Sequence, residues 1–247
     1  MGGSSYPFFL RLGNIIYRKF YTVYKPLYFL YKRSREKQEI AFFKKVVRKN
    51  MTVVDIGGNI GFYAALFSNL VGDSGSVHVF EPDPLNFQHL ASNVSGMKNV
   101  IINNCAVGAE SKTIRLYHSD ELNVDHQTYD NGENRVYTEV QCIALDDYFA
   151  KREMVDFIKI DIQGYDYFAL KGMTETIKRS PGIKIFGEFW PYGLSKAGTD
   201  PAEYLRLLTE AGFEIELQAG EQGLDFPGKV HDKFFYTNFY GEKCLKR

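Results

Sequence analysis

Apolar and polar positions follow two rhythms along this chain of 247 residues. Over residues 6–31 aromatics crowd together with basic residues between them, and Pro7 and Pro26 punctuate the run, which predicts one or two helices. Residues 35–48 carry Ile40, Phe43 and Val47 at helical spacing and predict an amphipathic helix. From Met51 short apolar runs alternate with helical patterns, the mark of a mostly parallel sheet. Strands are predicted at 52–56, 76–80, 100–105, 155–161 and 183–188, with helices over 61–70, 84–94, 165–178 and 201–211. Residues 72–75 read as a turn. After the third strand the expected helix is missing. Residues 113–118 and 136–143 alternate like strands around a polar loop, 119–135, and predict a β insertion at the carboxyl edge of the sheet. The last two strands, 213–218 and 233–240, are joined by a turn-rich segment as a hairpin-like pair.

Formal net charge is zero, but it is unevenly spread: residues 1–50 hold twelve Lys and Arg against Glu36 and Glu39, a net +10 that the remainder balances. Such a segment meets something anionic or packs against the acidic body. Cys105, Cys142 and Cys244 lie far apart, outside any C-x-x-C pair, and support neither a zinc site nor a disulfide framework. Arg11 and Arg18-Lys19 interrupt the apolar N-terminal stretch, so neither a signal peptide nor a spanning helix of about 20 residues is expected. The default address is the cytoplasm.

The most telling stretch is Val53-Val54-Asp55-Ile56-Gly57-Gly58-Asn59-Ile60-Gly61, an apolar strand ending in an acid and a glycine-rich turn into a helix. The next strand ends in Glu81-Pro82-Asp83. In a doubly wound sheet such a turn admits close backbone approach to a nucleoside cofactor, and the second acid takes ribose hydroxyls. The spacing is Asp-x-Gly-x-x-x-Gly, so the dinucleotide fingerprint fails at its third glycine. A nicotinamide oxidoreductase is thereby disfavoured. A ligand without a pyrophosphate, S-adenosylmethionine, suits the turn better.

Further segments carry a family resemblance: Phe80-Glu81-Pro82-Asp83-Pro84, Asn104-Cys105-Ala106-Val107-Gly108, Ala144-Leu145-Asp146-Asp147-Tyr148 and, most distinctively, Asp156-Phe157-Ile158-Lys159-Ile160-Asp161-Ile162-Gln163-Gly164-Tyr165-Asp166. Together with Val54–Tyr63 they resemble the FkbM branch of class I S-adenosylmethionine-dependent methyltransferases, over about residues 50–215. The family usually has Glu where this chain has Gln163 and Asp166, and its insertion often reads Asp-His-Arg where this chain has Asp125-His126-Gln127. The resemblance implies an α/β, Rossmann-like seven-stranded sheet with an antiparallel last strand. A methyltransferase domain would span 51–247, preceded by a basic aromatic helical extension over 1–50. It implies O-methylation of a sugar, glycan or secondary-metabolite hydroxyl.

Under that reading Gly57, Gly58 and Gly61, with Asn59 and Phe62, carry the turn beneath the methionine part of the cofactor. Asp55 reaches the cofactor ammonium or orders the loop. Glu81, next to Pro82, chelates the ribose hydroxyls, and Asn104, Cys105 and Ala106 bracket the adenine. Asp161 faces the ammonium or the acceptor hydroxyl, or caps the next helix. Glu188 hydrogen-bonds the acceptor, with Trp190 as an apolar wall. His126, flanked by Asp125, is a candidate general base, as is Asp161; a merely solvated loop histidine is the plainer alternative. His78 and His89 read as structural. Asp161, Glu188, Asp125 and His126 could ligate a metal but match no metal motif, and none is expected.

The expected partner is a small-molecule or glycan acceptor. Nucleic acid is not expected, since the body is acidic and lacks a recognition motif. Residues 1–35 are candidates for peripheral membrane contact, for a lid over the acceptor pocket, or for plain packing on the domain. The competing function is a catalytically silent scaffold of the same fold.

Overall fold

The computed structural model describes residues 8–119, 126–129, 135–150, 154–218 and 226–243. Tyr6, Pro7, Asp125, Cys244, most of the loop 119–135 and half of the segment 219–232 lie outside the described residues. Three helices come first: α1 (Phe8–Lys19), α2 (Tyr21–Arg35) and α3 (Lys37–Val46). The sheet then begins with β1 (Thr52–Ile56), α4 (Phe62–Val71), β2 (Ser76–Phe80), α5 (Pro84–Asn93) and β3 (Val100–Asn103). The insertion follows as β4 (Ala106–Val107), β5 (Lys112–Tyr117) and β6 (Tyr137–Ile143). Next are α6 (Leu145–Tyr148), β7 (Phe157–Ile160), α7 (Asp166–Lys171), α8 (Thr174–Arg179) and β8 (Lys184–Phe189). The chain closes with α9 (Pro191–Lys196), α10 (Pro201–Glu210), β9 (Phe213–Leu217), a 3-10 turn at Phe226–Lys229 and β10 (Thr237–Lys243).

Seven strands form one sheet in the order β3-β2-β1-β7-β8-β10-β9. Only β10 runs against the rest, wedged antiparallel between β8 and β9. The fold is that of a class I methyltransferase. β1, β2 and β7 are buried on both faces, which is why they read as unbroken apolar runs. Alternation along each strand splits the core in two. Val54, Ile158 and Ile160 pack on one face with Leu145, Leu170 and Tyr204; Val53 and Phe157 pack on the other with Val77, Val79 and Phe67. Phe43 and Val47 belong to that second cluster, so α3 packs as part of the sheet domain.

The insertion is a separate three-stranded sheet, β4-β6-β5. Four boundaries differ from the sequence pattern. The third strand stops at Asn103 because the Asn104 amide turns back to donate to the carbonyls of Glu81 and Pro82. The helix predicted over 165–178 is two short ones, broken at Gly172, where a Cβ would lie 2.0 Å from the Gly108 carbonyl oxygen. The last strand starts at Thr237, since the Lys233 carbonyl accepts from Trp190 Nε1 rather than from a neighbouring strand. Pro26 lies inside α2, which continues past it with Tyr24 and Tyr28 stacked across the site. Among the described residues, no helix is long and apolar enough to cross a membrane.

Candidate cofactor and acceptor site

β1 and β7 are neighbours in the centre of the sheet, and the loops after them meet at its carboxyl edge. Gly57, Asn59 and Gly61 all adopt positive φ, of 82°, 47° and 86°. A Cβ on Gly57 would sit 2.1 Å from the Asp161 carbonyl oxygen, and one on Gly58 would sit 2.2 Å from Val79 Cγ1. The close approach these glycines permit is therefore first of all between the protein's own strand ends. Gly57 and Gly58 also face the cavity above them, whereas Gly61 caps α4 and packs on Leu90, outside the wall. The amides of Asn59, Ile60 and Gly61 donate to Glu81, to the Asn59 side chain and to the Gly58 carbonyl.

Glu81 is buried, yet part of the cavity wall. Its Oε2 accepts from the Asn59 amide at 2.8 Å and its Oε1 from the Asp83 amide at 2.9 Å. Its Oε1 also takes a long bond, 3.5 Å, from Asn86 Nδ2, while Oε2 keeps a further lone pair for a ligand hydroxyl. Burial pushes its carboxyl up to about 7, against the pull of those amides. Pro82, Cys105 and Ala106 continue the wall, while Asn104 stands outside it and ties the loop after β2 in place. Phe62 closes the side nearest α4. Burial lifts the Cys105 thiol to about 11, so it is a neutral group there.

Asp55 does not reach the cavity. It is fully buried beneath the turn, and Lys159, its register partner on β7, lies 3.3 Å away. The ammonium of Lys159 does face the cavity and is 3.8 Å from Asp161 Oδ2. Burial works against that ammonium, but the carboxylates of Asp55 and Asp161 outweigh it and hold Lys159 above its ordinary value. Asp55 is thus paired across the strands with a lysine that the motif reading passed over. A charged residue in the middle of the buried strand Phe157–Ile160 was the available signal, since such a group needs a partner.

Asp161 stands exposed at the end of β7, and Glu188 comes from β8; both line the cavity, with Trp190 beside them. Burial raises the Glu188 carboxyl well above the ordinary range, and the nearby charges of Asp161 and Asp166 add to it.

His126 also lines the cavity. Its Nδ1 accepts from the Ser119 amide at 3.1 Å, and its Nε2 is 3.7 Å from Asp83 Oδ2. Burial, with His118 and Arg135 adding to it against Asp83, pulls the imidazole down to about 4. A ring so placed is neutral at physiological pH and a weak proton acceptor. Among the described residues its carboxylate neighbour is Asp83. His118 Nδ1 is 3.3 Å from the same Asp83 oxygen, and Asp83, His118 and His126 offer ligand atoms within 4.8 Å of one another. The Ser119 bond puts the proton of neutral His126 on Nε2, on the side of Asp83, which at 3.7 Å is a charge neighbour and not a hydrogen-bond partner.

The cavity measures about 930 Å³, near the top of the roughly 300–1,000 Å³ range of small-molecule sites. Its roof is the N-terminal segment: Asn14, Tyr24, Leu27, Tyr28, Tyr31 and Lys32 from α1 and α2 all face it. Tyr17 anchors that roof by bonding Asn86. A lid over the pocket was one of the readings that the sequence left open for residues 1–35.

Residues 55–215 match the model of the methyltransferase FkbM domain. No curated protein matches the chain. Solved structures do. An S-adenosylmethionine-dependent methyltransferase from Aquifex aeolicus is 18% identical, with 86% of this chain and 93% of that one covered and a TM-score of 0.47. An rRNA methylase from Streptococcus thermophilus is 14% identical over 84% and 95% of the two chains, with a TM-score of 0.51. The fibrillarin pre-rRNA processing protein of Methanococcus jannaschii is 15% identical over 87% and 77%, with a TM-score of 0.50. At such identities the likeness is one of fold.

Proposed function

The chain belongs to the FkbM methyltransferase family and uses S-adenosylmethionine as methyl donor, and from that premise we propose that it O-methylates a hydroxyl of a sugar, glycan or secondary metabolite. The observation that carries this reading is the pair of strand-end carboxylates, Asp161 and Glu188, in the wall of the same cavity as Glu81 and the glycine turn. The wall fits the donor: a glycine turn with close neighbours, a buried carboxylate with a spare lone pair on Oε2 and an apolar flank of Phe62, Pro82 and Ala106.

The donor supplies an electrophilic methyl group on a sulfonium. Glu81 would hold its ribose hydroxyls, and Asp161, at the edge of the same cavity, its ammonium. Cys105 and Ala106 would border its adenine. Glu188 would accept the acceptor's proton: it lines the cavity, and burial makes its carboxylate more basic than an ordinary one. Trp190 would exclude water on that side. This reverses the allocation expected from sequence, where His126 or Asp161 was the base and Glu188 the positioning group. Orientation alone supplies several kcal/mol of the barrier reduction, on the order of the effects seen for aligned intramolecular reactions. The acidic acceptor side favours a neutral polyhydroxyl compound over a polyanion such as the rRNA that some fold neighbours are named for.

The test is transfer of a labelled methyl group to panels of glycans, hydroxylated metabolites and RNA. Label on a hydroxyl of a neutral acceptor supports the reading; label confined to RNA overturns it.

A further inference from the structure

The outer face of the N-terminal helices is built the wrong way round for a helix that only packs on a core. On α2, Val23, Leu27 and Leu30 fall at i, i+4 and i+7 on one stripe and are 54%, 58% and 67% exposed. The tyrosines of the opposite side turn inward: Tyr21 stacks on His89, and Tyr24 and Tyr28 face the cavity. Ile15 on α1 and Phe20 between the helices are more than half exposed as well. Among the described residues nothing covers this face.

Its charge is one-sided. Arg18, Lys19, Arg33 and Arg35 are exposed beside the apolar stripe, and residues 1–35 contain no acid. A second copy of the chain would set two such cationic faces against each other. A neutral apolar partner would leave the cations unused. A bilayer with anionic headgroups uses both: the apolar side chains enter the headgroup boundary, and the bases meet lipid phosphates. The acidic remainder of the chain is repelled by the same surface, which fixes the orientation.

The cavity opens beside this face. Leu27 and Tyr31 belong both to the exposed stripe and to the cavity wall. Phe234 and Tyr236 line the same cavity and are 83% and 59% exposed, so the rim is apolar on the β10 side too. We propose that the α1–α2 face docks on an anionic lipid surface and brings the mouth of the cavity to the bilayer. Resting on the methyltransferase reading, the acceptor is then a hydroxyl-bearing amphiphile held in that membrane.

Flotation of the full chain tests this, with vesicles of phosphatidylcholine alone and of phosphatidylcholine mixed with phosphatidylglycerol. The chain is expected to float only with the anionic vesicles and to be released near 1 M salt, where the Debye length is about 3 Å. Val23→Glu with Leu30→Glu, neither in the cavity wall, is expected to abolish flotation while calorimetric binding of S-adenosylmethionine is unchanged. Arg18→Glu with Arg33→Glu is a second variant that touches no apolar packing, and it should weaken flotation severalfold. Absence of flotation with anionic vesicles overturns the proposal, as does flotation unaffected by either variant. A concentration-dependent dimer that Val23→Glu/Leu30→Glu dissolves, without flotation, overturns it in favour of self-association. Failure of the methyltransferase reading shows separately, as loss of donor binding by the unaltered chain.

Discussion

The main-chain amide of Asn59 donates to Glu81 Oε2 at 2.8 Å, joining the glycine turn after β1 to the acid after β2. Asn59 holds a positive φ to make that bond. The turn and the acid are one unit, so changes in either are felt by whatever lies between them.

That unit titrates. Burial lifts Glu81 from its ordinary 4.5 to about 7. Only the carboxylate accepts from both ribose hydroxyls through two oxygens, so donor affinity should rise with pH through about 7 and fall below it. For one linked proton the slope approaches about tenfold per pH unit. The ligand-free protein has the opposite sign. Between 4.5 and about 7 the folded state holds a proton that the unfolded state has lost, so this group's contribution to stability declines as pH rises. Calorimetry and thermal melts across that window should show both trends, and Glu81→Gln should flatten them. Trends unaltered in that variant would assign the titration to another group.

Lys159 and Asp55 form the buried pair beneath the turn. Lys159→Met should destabilise the protein by about 3–5 kcal/mol, because it strands a buried carboxylate. Asp55→Leu combined with Lys159→Met should recover most of that loss in guanidinium unfolding. A harmless Lys159→Met would show that the pair does not order the loop.

Gly57 and Gly96 share a positive φ, but only Gly57 meets backbone where a Cβ would sit. Gly96→Ala should cost about 1–2 kcal/mol of backbone strain. Gly57→Ala should cost clearly more, since the Asp161 carbonyl must also move. Equal losses in chemical unfolding would mean that the loops after β1 and β7 are not in contact.

The sheet was legible because its central strands are buried on both faces and so appear as apolar runs ending in acids or glycine. Glu81, Asp161 and Glu188 were found at the strand ends where the pattern put them, all facing one cavity. What escaped depends on distant contacts. The break at Gly172 exists because Gly108 crosses it, and the early end of β3 exists because Asn104 bonds back to Glu81. Asp83 meets His118 and His126 only through the folding of the insertion, so the partner of His126 could not be read from its neighbours. Asp55 looked like a ligand group because its lysine sits on another strand.

The allocation of roles between His126 and Glu188 is open to kinetics. His126→Gln should leave kcat within about threefold, as expected of a neutral, weakly basic wall residue whose Nδ1 is held by the Ser119 amide. Glu188→Gln should lower kcat by about 10²–10⁴-fold with donor affinity preserved. The opposite pattern would return the base to His126.

Titration of the intact chain and of Glu81→Ala with S-adenosylmethionine at pH 8 tests the central claim, that the hollow between the ends of β1, β2 and β7 holds the donor. The wild-type chain should bind one equivalent saturably, and Glu81→Ala should bind at least about tenfold more weakly, the loss expected for a charge-assisted hydrogen bond of about 1.5–3 kcal/mol. No binding by the wild-type chain, or equal affinity in the two, would contradict it.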